Sequence, residues 1–244
     1  IASFGPVDLD PASPLWGHIT TTPKPGWRQV DVARRLSAPF AVPAAFDTDV
    51  NGAALAEMRW GAGAGLADFA YVTVGTGVGV GLVVNGRPTR GFAHGELGHI
   101  RIVRLAGDHW PGACPYHGAC VEGLAAGGAV AARTGRGADD LGDEDPVWET
   151  VAHALAQLGH VLVCAAAPRR IVIGGGVISG RPHLLPRIEA MLRDSLAGYM
   201  ALPDDGPYVR APGLGDLAGP LGPIALAAAL LGSGRDQEDR AVRG

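Results

Sequence analysis

Two thiols and two imidazoles, His99 and the run Cys114-Pro-Tyr-His117-Gly-Ala-Cys120, form the donor set that a tetrahedral zinc ion takes. The Cys-x-x-His-x-x-Cys spacing lets one loop supply three ligands while His99 closes the shell from a distance. Four protein ligands leave no position open for water, so the ion would be structural. Such binding can be worth on the order of 10 kcal/mol, enough to order a segment with little apolar content. The competing readings are a disulfide between Cys114 and Cys120, or two idle thiols among surface histidines. Cys164, far along the chain in an apolar helical stretch, reads as a buried small side chain.

Three further groups could carry chemistry. In Gly75-Thr-Gly-Val-Gly-Val-Gly81 the glycines let backbone N–H groups surround a phosphate, with the Thr76 hydroxyl as an extra donor. The run is neither a Walker loop nor a Rossmann fingerprint, and a plain hairpin with bulges would use the same glycines. Asp49, in Phe46-Asp-Thr-Asp-Val-Asn51, lies where a strand gives way to a helix. A carboxylate there can take the proton of a substrate hydroxyl during phosphoryl transfer, and helix capping by Asp47 or Asp49 is the alternative. Glu96, in His94-Gly-Glu-Leu-Gly-His99, and Glu122, two residues after Cys120, flank the proposed metal ligands. A pinned loop would aim both carboxylates into one cleft to accept hydrogen bonds from sugar hydroxyls; solvated surface charges are the alternative.

The elements that must position these groups follow from periodicity. Apolar residues at helical spacing predict a short helix from Val50 to Trp60, with Asp47, Thr48 and Asp49 as possible caps. Tyr71–Val74 and Val80–Val84 read as strands of a glycine-rich hairpin. Phe92–Cys120 reads as a loop dense in histidine and glycine. Helices are expected over Val121–Arg133, Val147–Ala166, Leu184–Leu196 and Pro223–Leu231, and a short buried strand over Arg170–Ile173 leads into Gly174-Gly-Gly176. Residues 1–48 are rich in proline and loops, with strand-like runs at Ile1–Phe4 and Phe40–Val42 and a helix around Val30–Leu36. The tail, 233–244, is expected to be disordered. The mixture argues for an α/β architecture.

A chain of 244 residues with 47% hydrophobic content can bury a sizeable core. The formal net charge of −4 supplies no broad basic field, so nucleic acid is not an expected partner. Neither apolar stretch, Val151–Pro168 or Leu217–Gly232, is a credible membrane span, and three cysteines are too few for a disulfide scaffold. A cytoplasmic protein is expected.

Together these residues resemble the ROK family of sugar kinases and sugar-responsive repressors, from Ser3-Phe-Gly-Pro-Val-Asp8 to Gly219. The resemblance implies an actin-like, ribonuclease-H-like ATPase fold of two α/β domains with the cleft between them. Residues 1–48 would belong to the small domain and 49–222 to the large one, with the helix 223–232 packing on the former. It places the general base on Asp49 and the phosphate loop on Gly75, Thr76 and Gly77. Gly174, Gly175 and Gly176 fall where the family holds adenosine, and Gly5, Asn51, Glu96, His99 and Glu122 at its sugar-binding positions, with His99 touching both sugar and zinc. ATP with Mg2+ and a free hexose are the implied substrates, and a homodimer is the expected assembly.

Most family members supply three cysteines to zinc, so His117 takes the place of one. The Cys114-Pro-Tyr-His117-Gly version, with Thr22-Pro-Lys24 and Thr48, resembles the bacterial fructokinase branch and favours fructose. The family's Asp-x-Gly-Gly-Thr-Lys phosphate loop has no counterpart in these residues and is expected ahead of Ile1. Without it one wall of the nucleotide cleft is incomplete, and an inactive fragment becomes one expected outcome. The rival is a repressor whose DNA-binding part lies upstream.

Overall fold

A computed structural model describes residues 1–242, with side chains as far as Leu231. The amino-terminal segment runs β1 (Ala2–Ser3), β2 (His18–Ile19), β3 (Val30–Asp31), α1 (Val32–Ser37), β4 (Asp47–Thr48) and α2 (Asp49–Trp60). β5 (Phe69–Val74), β6 (Val78–Val84) and β7 (Arg87–Pro88) follow, then α3 (Val121–Ala125), α4 (Gly127–Thr134) and α5 (Val147–Ala166). β8 (Ile171–Gly174), α6 (Gly176–Ser179), α7 (Leu184–Leu196), β9 (Val209–Arg210) and α8 (Ala218–Val242) complete the chain.

The main sheet has the order β7-β6-β5-β8-β9, antiparallel on the hairpin side and parallel from β5 outward. Successive side chains on a strand point to opposite faces, and β5 divides its residues accordingly. Ala70, Val72 and Val74 join Trp148, Leu155 and Leu158 of α5, while Phe69 and Tyr71 join Ala53 and Ala54 of α2 and Ala218 of α8. Burying a side chain such as Leu155 is worth roughly 1.5–3 kcal/mol, and the α5 face carries the larger set. A separate small core of Val7, Leu9, Ile19, Ala33 and Phe46 holds the amino-terminal segment.

Two close approaches position the candidate site. A methyl group on Gly81 would lie 2.2 Å from the Val50 carbonyl oxygen, so the first turn of α2 rests directly on β6. On the other side of α2, a methyl on Gly52 would come within 3.2 Å of the Gly222 Cα, so α2 and α8 meet backbone to backbone. α8 also reaches β1.

Several expected elements differ. Phe40 and Val42 are exposed and form no strand, since Pro39 and Pro43 deny the run the N–H groups of a ladder. The helix expected over Val121–Arg133 is two, because Ala126 turns extended (ψ 154°) and the Gly127 N–H donates to the Gly75 carbonyl at 2.8 Å instead of continuing the helix. The last helix begins at Ala218, five residues before Pro223, behind a 3₁₀ turn over Gly215–Leu217. Cys164 is exposed, not buried, because it lies on the outer side of the last turns of α5. The expected disordered tail, 233–244, lies outside the described residues except for its backbone to Val242, which continues α8. Among the described residues no helix is long and apolar enough to cross a membrane.

Candidate active site

β1 and β4 pair in parallel, with Ala2 opposite Asp47 and Ser3 opposite Thr48, so Phe4 comes level with Asp49 where β4 becomes α2. Thr48 is the helix cap: its backbone is extended and its Oγ1 accepts the Asn51 N–H at 3.2 Å. The buried Asp47 carboxylate accepts the Thr48 N–H at 2.7 Å and the Asn51 amide at 2.8 Å, and pairs with Arg90. The Asp49 carboxylate accepts the Val50 N–H at 2.8 Å, meets no side-chain donor among the described residues, and stays open to the cleft. Capping therefore falls to Thr48, Asp47 is structural, and Asp49 keeps accepting capacity. Desolvation in the cleft raises its carboxyl above the ordinary carboxylate value, against the Val50 N–H and the charge of Lys24, which pull it down.

The glycine hairpin turns over Gly75-Thr76-Gly77. The Gly75 N–H closes the turn on the Gly77 carbonyl at 2.9 Å, and the Val78 N–H donates to Glu122 Oε2 at 3.1 Å. Among the described residues the N–H groups of Thr76 and Gly77 meet no acceptor, which leaves two donors and the exposed Thr76 hydroxyl for a ligand. A methyl on Gly77 would sit 2.6 Å from Glu122 Oε2, so a side chain there would have to push that carboxylate aside. Gly175, at φ 88°, lies against the Val74 backbone behind this turn, and Gly174 packs on Pro212, whereas Gly176 faces open space.

Glu122 bridges the hairpin and the histidine-rich loop, with Oε1 at 3.9 Å from His99 Nε2. Glu96 Oε1 lies 3.6 Å from His94 Nδ1. The buried His94 accepts the Val7 N–H through Nε2 at 3.0 Å, which leaves the Nδ1–H to donate to the Gly95 carbonyl at 3.4 Å with Glu96 alongside. A methyl on Gly5 would touch both, 3.0 Å from the His94 ring and 3.1 Å from Glu96 Oε1. Desolvation raises the Glu96 carboxyl, the charges of Glu122 and Asp49 add to the rise, and His94 and His99 oppose it. Asp49, Gly5, Glu96, His99 and Glu122 are thus gathered in one neighbourhood. Asn51 stands behind it, buried, with its amide nitrogen on Asp47.

His99, Cys114, His117 and Cys120 come together so that their ligand atoms all lie within 4.8 Å of one another. Cys114 Sγ is 3.6 Å from His99 Nδ1 and 3.7 Å from His117 Nδ1, and Cys120 Sγ is 3.7 Å from His99 Nδ1. A tetrahedron with ordinary zinc–nitrogen and zinc–sulfur bond lengths has edges of about 3.5 Å, so the four residues fit a tetrahedral ion. Burial pushes the Cys120 thiol up to about 11, so a cation is what would hold a thiolate there. Both cysteines are free thiols.

The sequence alone gives no site role to His94, which stands inside a quoted motif, to Arg90, to Lys24, which marks only a resemblance, or to the buried Glu57, and it offers Asp47 only as a helix cap. Glu57 accepts the N–H groups of Ala62, Gly213 and Leu214 at 2.7, 3.0 and 2.9 Å, tying the end of α2 to the entrance of α8. A cavity of about 310 Å³ adjoins the site, with Val7, Asp8, Phe92, His94 and Glu96 in its wall. A larger one of about 590 Å³ lies between α7 and β9, and none of the candidate residues lines it.

A mixed sheet with a strand-to-helix carboxylate, a glycine hairpin and a His/Cys-tied loop defines a phosphotransferase-like cleft on the actin-like ATPase fold. The ROK family profile matches residues 1–229, and the chain belongs to the ROK family. It is 42% identical over 231 residues to a fructokinase of Pediococcus pentosaceus, covering 95% of this chain and 80% of that protein. A fructokinase of Zymomonas mobilis is 43% identical over 232 residues, covering 94% of this chain and 77% of that protein. Among solved structures, a ROK hexokinase from Thermus thermophilus superposes with a TM-score of 0.76 at 29% identity, over 95% of this chain and 78% of that one.

Proposed function

We propose that this chain transfers the γ-phosphoryl group of ATP to a hydroxyl of a free hexose, with fructose as the acceptor and fructose 6-phosphate as the product. The observation that carries the reading is Asp49: a carboxylate at the start of α2, free of side-chain donors among the described residues, beside a hairpin with two open N–H donors. Asp49 takes the hydroxyl proton as the sugar oxygen bonds to the γ-phosphorus. The bond to the β–γ bridging oxygen breaks, and its electrons leave with ADP. Thr76 and Gly77 hold phosphate oxygens, and Gly174, Gly175 and Gly176 border the adenosine. Gly5, Glu96, His99 and Glu122 receive the sugar, with Asn51 at the back. Mg2+ accompanying ATP offsets charge on the transferring group.

His99, Cys114, His117 and Cys120 hold a structural Zn2+, which fastens the loop carrying Glu96 and the start of α3 carrying Glu122. Fructose as acceptor is supported by the two fructokinases at 42% and 43% identity. A homodimer working in the cytoplasm completes the reading. The repressor alternative is disfavoured by Asp49 itself, because sugar sensing needs no proton acceptor beside open phosphate donors.

The test is ADP release by the full-length protein with fructose, mannose and glucose, joined to metal analysis. Fructose-dependent release and one zinc per chain are expected. Sugar-independent release alone, or none with any of the three, rejects the kinase reading.

A further inference from the structure

Of the 20 lysine and arginine residues, Lys24 is the single lysine. Arginine takes the other 19 of these positions, so the one side-chain ammonium in 244 residues marks a place where a compact, strongly hydrated point charge differs in use from a planar fork. Its location is specific. Thr22, buried, accepts the Lys24 N–H on Oγ1 at 3.3 Å and holds the loop backbone. The Lys24 ammonium stands 3.5 Å from the centroid of the Phe4 ring, and Trp27 meets that ring edge-on at 5.4 Å. Phe4 is the residue that the β1–β4 register brings level with Asp49. The ammonium is therefore delivered to the side of Asp49, where its charge is one of those that favour the ionised carboxylate. It has no hydrogen-bond acceptor or ion-pair partner among the described residues, while Arg90 nearby is committed to Asp47.

We propose that Lys24 is a further catalytic residue, whose ammonium contacts the oxygens of the phosphoryl group in transfer and of the sugar phosphate formed. The inference rests on the hexose kinase reading. If Asp49 takes the proton of the attacking hydroxyl, the phosphorus arrives at that same oxygen, one strand away from the ammonium. An uncommitted ammonium suits charged phosphoryl oxygens, to which hydrogen bonds are about twice as strong as between neutral groups. The ring of Phe4 holds the charge in place without neutralising it, as a carboxylate would.

The test compares wild type with Lys24→Met, which keeps the stem on Phe4 and removes the charge, in the full-length protein with fructose and ATP. Lys24→Met is expected to lower kcat by about 10²-fold, the scale for losing one electrostatic donor to a transition state, with KM for fructose within about threefold. The acidic limb of the rate profile should move to higher pH, because a positive neighbour of Asp49 is gone. In the wild type, acylation of Lys24 by acetic anhydride, followed by peptide mass spectrometry, should slow at least tenfold in fructose 6-phosphate, as expected when the amine is covered. A variant kcat within twofold of wild type, a loss confined to KM, or equal labelling with and without fructose 6-phosphate overturns the proposal. Wild type that fails to turn over fructose sinks the underlying kinase reading instead, so the two failures are told apart.

Discussion

The cleft has two rims that hold their carboxylates by different means. On one, the β4–α2 junction, order comes from the backbone and neighbouring side chains: Thr48 caps the helix, Asp47 collects three donors, and α2 is pressed between β6 and α8. On the other, the loop from Phe92 to Cys120 has little regular structure, and its tie is a His/Cys cluster that draws His99, Cys114, His117 and Cys120 together. The first rim is assembled by burial and hydrogen bonding, the second by a site shaped for a cation. The acidic residues they present therefore respond to different perturbations.

Removing the cation should separate the two rims most sharply. Chelation, or Cys120→Ser, is expected to loosen the loop and the start of α3, with a loss that approaches the order of 10 kcal/mol seen for structural zinc in small domains. Hydrogen exchange should rise across 97–123 while α2 keeps its protection; equal loosening of both would erase the distinction. Next in size, Asp49→Asn should cost about 10² to 10⁴ in kcat without lowering thermal stability. The sign follows from linkage. A carboxyl raised on folding binds its proton more tightly in the native state, so its contribution to stability falls as pH climbs from the ordinary value through the raised one. The amide removes that penalty, and the melting temperature near neutral pH should hold or rise slightly. In the wild type, the acid limb of kcat should lie above the usual aspartate range.

Asp47→Ala, which strands the Asn51 amide and Arg90, should destabilise the junction by about 3 kcal/mol in denaturant unfolding while metal content stays at wild type. The smallest effect is expected from Thr48→Ala, about 1 kcal/mol for a lost cap, with metal content again unchanged. A drop in zinc on either substitution would mean that the two rims are one cooperative unit.

Much of this was legible along the chain because the signals are local. Helices at Asp49–Trp60, Val147–Ala166 and Leu184–Leu196 follow from apolar spacing within a few turns, and the hairpin over 69–84 from two β-branched runs around glycines. The four metal-binding candidates were readable because sulfur and imidazole donors at Cys-x-x-His-x-x-Cys spacing have few other uses. What stayed hidden depends on distant segments meeting. Which of the neighbouring carboxylates, Asp47 or Asp49, stays available was open until Arg90, 43 residues on, met Asp47. Glu57 draws no reading from its neighbours in sequence, yet it is buried against backbone 156 and 157 residues away. The break at Ala126 exists because Gly127 binds Gly75.

Residue type and short spacing determined which groups can bind a metal, donate to a phosphate or accept a proton. Only the tertiary structure decided which of three neighbouring residues is left free to do so, since a carboxylate's availability depends on which donors the fold has already brought to it.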